Sequence, residues 1–73
     1  MKNPVQKEID QIDNVERKEI QRRIDALGYP VNRIVQESWL TSLPNYLGGG
    51  KMHTGTMFVL KRTLNRLEAE QAS

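Results

Sequence analysis

The stretch RIVQESWLTSLPNYLGGGKMHTGTMFVLKRTLNRL, residues 33–67, decides the fold. Its apolar side chains recur at helical intervals and never in strand-like alternation. Met57, Leu60, Leu64 and Leu67 fall three and four residues apart, which places them on one face of a closing helix running to about residue 70. Pro44 is tolerated only in the first turn of a helix, so it fixes the start of a short helix over residues 43–47, with Thr41 or Ser42 placed to cap it. Gly48, Gly49 and Gly50 end that helix, Lys51, Met52 and His53 continue as a loop, and Thr54 is placed to cap the closing helix. Upstream, Pro30 suits a first helical position and opens a helix over residues 30–38 that buries Val31, Ile34 and Val35. Trp39 and Leu40 make the turn between the two short helices.

Towards the amino terminus, Asn3 before Pro4 reads as a cap and first helical residue. Val5, Ile9 and Ile12 then draw one narrow apolar stripe on a charged segment. Asp13 with Glu16 has the form of a capping box, so the segment beyond is either a separate helix or the continuation of the first. Ile20, Ile24 and Leu27 line its inner face, and Gly28 is placed to end it in a left-handed conformation. Glu19 stands four residues before Arg23, the spacing of a helical ion pair. The polar tail Gln71-Ala72-Ser73 is expected to fray.

A chain of 73 residues is one domain with no room for a deep substrate cavity. It contains no cysteine and one histidine, His53, which excludes disulfide frameworks and thiolate metal sites; no cofactor and no metal are expected. Gly48-Gly49-Gly50-Lys51 lacks the spacing, the following hydroxyl residue and the preceding strand of a phosphate-binding loop, and no cleft gathers the acids and bases for catalysis. An enzyme is not expected. Met57-Phe58-Val59-Leu60 is too short to cross a bilayer, so the expected setting is a soluble, cytoplasmic one without membrane contact. The net charge is +2 and the pI about 9.2. Acids and bases balance up to Gly28, whereas Arg33, Lys51, Lys61, Arg62 and Arg66 make the later part basic.

The order of elements over residues 33–67, with Tyr46, Leu47, Gly49 and Lys51 before a helix such as that from Thr54, resembles the helix-turn-helix of small phage-repressor and Cro-like regulators. Trp39 occupies the place the family usually gives to glycine. The resemblance implies an all-α fold: a small domain of four to five helices, with a helix-turn-helix-like core at 14–70, an amino-terminal helical extension at 1–13 and a tail at 71–73. It further implies a transcriptional regulator of phage or mobile-element type, a repressor among them, that binds double-stranded operator DNA as a homodimer. Thr41, Ser42 and Asn45 would then meet base edges, and Arg33, Lys51, Thr54, Lys61 and Arg62 would meet phosphates. Plainer readings stand beside these: Thr41, Ser42 and Thr54 as ordinary caps, Asn45 as simply exposed, and Lys61, Arg62 and Arg66 as a solvated face or as charges suited to a helix carboxyl end. The competing functional reading is a protein-binding module, an antiactivator or inhibitor of a larger protein. Its candidate contacts, shared with a dimer interface, are Val5, Ile9, Ile12, Trp39, Tyr46 and Phe58. Trp39 and Tyr46 equally suit the core of a chain with few other large residues.

Overall fold

Helix α1 runs unbroken over Pro4–Leu27 in the computed structural model, which describes the backbone from Pro4 and the side chains from Gln11, both through Ser73. The side chains of Val5 and Ile9, and all of Asn3, lie outside the described residues. Asp13 and Glu16 start no second helix; nothing between them breaks the first, and Glu16 instead holds Lys61 of the last helix through a 2.9 Å ion pair. Gly28 ends α1 at φ 76°, the left-handed conformation expected of it, and its amide donates to the Asp25 carbonyl at 3.0 Å. Helices α2 (Val31–Ser38), α3 (Leu43–Leu47) and α4 (Thr54–Ala72) follow. The domain is therefore all-α, with four helices and no strand among the described residues.

Pro30 stands one position earlier than expected, as the extended cap residue before α2. Thr54 is likewise the first residue of α4 and not its cap; His53 takes the cap position in an extended conformation without a side-chain hydrogen bond. At the other end, α4 continues to Ala72, into the stretch expected to be a polar tail. Gln71 belongs to α4, and its Nε2 donates to the Leu27 carbonyl at 2.7 Å, tying the end of the last helix to the end of the first.

Packing follows the apolar spacing. Ile20, Ile24 and Leu27 of α1, Ile34 of α2, Leu43 and Tyr46 of α3, and Met57, Leu60, Leu64 and Leu67 of α4 form one buried cluster. Val31 and Val35 border it. Helix α4 packs against both α1 and α2, and α3 closes the remaining side against the same two.

The turn between α2 and α3 departs from ordinary backbone chemistry. Ser38 is buried, its hydroxyl donating to the Ile34 carbonyl at 2.7 Å and accepting from the Leu40 amide at 3.3 Å. Trp39 then adopts φ 61° and ψ 18°, and its amide caps the Val35 carbonyl at 2.7 Å. Glycine is favoured there because a Cβ crowds the left-handed conformation. The indole gains nothing from burial in exchange, being 87% exposed. Trp39→Gly is therefore expected to raise the free energy of unfolding by about 1 kcal/mol, relief of the strain exceeding the added freedom of the unfolded chain. Urea denaturation followed by circular dichroism measures it, and a destabilised variant would show that the turn depends on the indole.

Candidate nucleic-acid interface

Buried Leu43 and Tyr46 anchor α3 and leave its opposite face outward. That face and the preceding turn carry Thr41, Ser42 and Asn45, all exposed. Ser42 takes the cap position of α3 without a side-chain hydrogen bond. Beyond α3, the Gly50 amide returns to the Asn45 carbonyl at 2.9 Å. A Cβ on Gly50 would lie 2.5 Å from Asn45 Nδ2 and 2.9 Å from its carbonyl oxygen, so this close return requires glycine.

Arg17 of α1 fastens the same end of α3. Its Nε donates to the Tyr46 carbonyl at 2.8 Å and its Nη2 to the Gly50 carbonyl at 2.9 Å, while its guanidinium lies 5.3 Å from the centroid of the Tyr46 ring. Tyr46 is 4% exposed. It is a core anchor and offers no surface to a partner, so its place among the candidate contacts is corrected. Burial, reinforced by the negative Glu16 nearby, raises the affinity of its phenol for its proton, and the hydroxyl oxygen has no protein partner among the described residues.

The candidate phosphate contacts divide between several surfaces. Lys51, Thr54 and Lys61 border one depression beside Tyr46, with Phe58 at its rim. Lys61 is held there by Glu16. Arg62, the next residue, faces another way because successive helical residues are rotated by about 100°. It shares a shallow depression of about 330 Å³ with Glu37, Trp39, Val59 and Arg66. Glu37 joins two helices in that region: Arg33 Nε donates to its Oε1 at 3.0 Å and Arg66 Nη2 to its Oε2 at 2.8 Å. The Arg66 bond above all, then the charges of both arginines, holds the Glu37 carboxyl below its ordinary range. Arg33 also lies 5.2 Å from the centroid of the Tyr29 ring.

Glu19 pairs with Arg22 and not with Arg23. Arg23 reaches across to α4, giving Nε and Nη2 to the Glu68 carboxylate at 2.9 and 2.7 Å, and this bidentate bond depresses the Glu68 carboxyl. Sequence reasoning also passed over Arg17, Val15 and Glu37. Val15 carried the clearest signal, lying one helical turn after Ile12.

Phe58 is 66% and Ile12 64% exposed, which leaves both on the surface. No group of three or more metal-binding side chains occurs among the described residues. No helix among them is long and apolar enough to cross a membrane. No protein-family model, no curated protein and no solved structure matches this chain.

Proposed function

We propose that this chain is a small DNA-binding transcriptional regulator of phage or mobile-element type, acting in the cytoplasm and reading an operator through α3 as a homodimer. The observation that carries the reading is the outward exposure of Asn45 on a short helix whose other face is locked in the core, and of Thr41 and Ser42 in the turn that leads into it. Uncharged side chains of this kind suit base edges, and Asn45 offers adenine a donor and an acceptor together. Lys51 follows Gly50, whose backbone is bonded to Asn45, and so lies close enough to serve a flanking phosphate. Helix α3 has five residues and reaches few base pairs, so a specific site requires two copies.

A mobility-shift experiment with random and source-genome fragments, at low and at physiological salt, tests the proposal. Binding should fall with salt and favour particular fragments. Asn45→Ala should reduce the preference between fragments, and Lys51→Ala should weaken binding to all of them. Failure to bind any fragment at low salt removes the reading.

One observation favours a second reading, a protein-binding module. Trp39 stands 87% exposed at the same turn beside Val59 and Arg62. Large exposed aromatic groups next to arginine are frequent anchors of protein interfaces. Salt-insensitive capture of a protein that is lost in Trp39→Ala, with no DNA binding, would favour it.

A further inference from the structure

We infer that the turn between α2 and α3 contacts the sugar-phosphate backbone of duplex DNA, the Trp39 indole lying against a deoxyribose with its N–H on a phosphate and Arg62 meeting a neighbouring phosphate. This rests on the DNA reading above. It moves Trp39 from the protein-binding alternative to the edge of the surface that α3 presents.

The turn fixes where the indole stands. The Trp39 amide donates to the Val35 carbonyl, the Leu40 amide to the Ser38 hydroxyl, and the Leu43 amide to the Leu40 carbonyl at 3.1 Å. Backbone held at these three points has little freedom to swing, so the left-handed conformation of Trp39 projects its ring outward at a set angle. Thr41 and Ser42, the exposed side chains of the same turn, follow two and three residues later. A strand touched at Trp39 therefore adjoins the bases that α3 would read.

What this face offers is a set of hydrogen-bond donors. The indole N–H and the Arg62 guanidinium have no partner among the described residues, and both side chains are exposed. The other polar groups of the depression they share are already used. The Ser38 hydroxyl donates to the Ile34 carbonyl, the Thr63 hydroxyl to the Val59 carbonyl at 3.0 Å, and each Glu37 oxygen accepts from an arginine. A partner here supplies acceptors and negative charge and needs no donors in return, which is the chemistry of a phosphodiester. Charge agrees: the three cations Arg33, Arg62 and Arg66 stand against the two carboxylates Glu37 and Glu70, leaving one positive charge over.

The surroundings of the indole favour DNA over an acidic protein. An aromatic anchor of a protein interface sits inside a ring of contacts that excludes water. Among the described residues, Val59, at 41%, is the one other exposed large apolar side chain in this depression, while Phe58, Ile12 and Val15 border different ones. A lone indole among cations matches the alternation of small apolar sugars and charged phosphates along a strand.

Titration of the wild-type chain and its variants with random-sequence duplex DNA by filter retention, over a series of salt concentrations, tests the inference. Trp39→Gly, which suits the left-handed turn, should weaken binding about tenfold, the equivalent of one hydrogen bond. Its salt dependence should be unchanged, because no charge is lost. Trp39→Phe keeps a ring without the N–H and should recover part of the loss. Arg62→Ala should reduce the slope of log affinity against log salt by about one, whereas Lys18→Ala, which removes an exposed cation of α1, should leave it as it was. Salt-sensitive binding indifferent to both Trp39 variants overturns the inference and leaves the DNA reading standing, as does an equal loss of slope in Lys18→Ala and Arg62→Ala. Polyglutamate bound as tightly as DNA, and released by Trp39→Gly, overturns it in favour of an acidic protein. No binding of the duplex at low salt removes both readings together.

Discussion

Leu64→Ala is expected to lower the free energy of unfolding by about 3 kcal/mol. Leu64 is fully buried on α4, the helix that packs against both α1 and α2. Truncation removes the transfer free energy of its branched end and leaves a cavity lined by side chains fixed on several helices, which limits collapse around it. A domain of 73 residues is stable by only about 4–11 kcal/mol. The variant should consequently remain folded in buffer but unfold at a markedly lower urea concentration, with the slope of the transition preserved. A loss below about 1 kcal/mol would show that α4 does not occupy the centre of the core.

The second large effect belongs to a charged residue. Arg17→Ala is expected to cost about 1.5–3 kcal/mol, because charge-assisted bonds to two backbone carbonyls disappear together. These bonds hold α3 and the loop after it to α1, so the damage should be concentrated there. Hydrogen exchange at the amides of residues 46–50 should quicken more than exchange in α2. Arg17→Lys should recover only part of the loss, since a single ammonium lacks the fork that reaches Tyr46 and Gly50 at once. Uniform quickening along the chain, or complete recovery with lysine, would contradict the fastening role.

The core was readable because its physics is periodic. Ile20, Ile24 and Leu27, then Ile34, then Met57, Leu60, Leu64 and Leu67 fall at helical intervals, and each is buried. Local rules also located Gly28 and the short helix after Ser42, where backbone angles and the proline ring act within a residue or two. They were weaker at Asp13 and Glu16, where the same residues fit a helix start and a helix interior. Contacts distant in sequence left no trace in any window. Arg17 reads as one more charge on a solvated face until α3 arrives beside it, and Glu37 gives no sign that Arg66 will share its carboxylate. The candidate site was legible in part. Thr41, Ser42 and Asn45 are exposed as expected, but Tyr46 turned inward because a small core needed its ring. Lys61 and Arg62, adjacent in sequence, were sent to different surfaces by the helical rotation between them.

Trp39 has one more consequence, and it is optical. It is the chain's sole tryptophan, and its indole is 87% exposed in the folded state. Water surrounds it before unfolding and after, so its emission carries little information about the core. Any molecule that settles on the turn between α2 and α3 displaces that water. Fluorescence thus follows docking at the turn, and the melting of the helices has to be followed by circular dichroism.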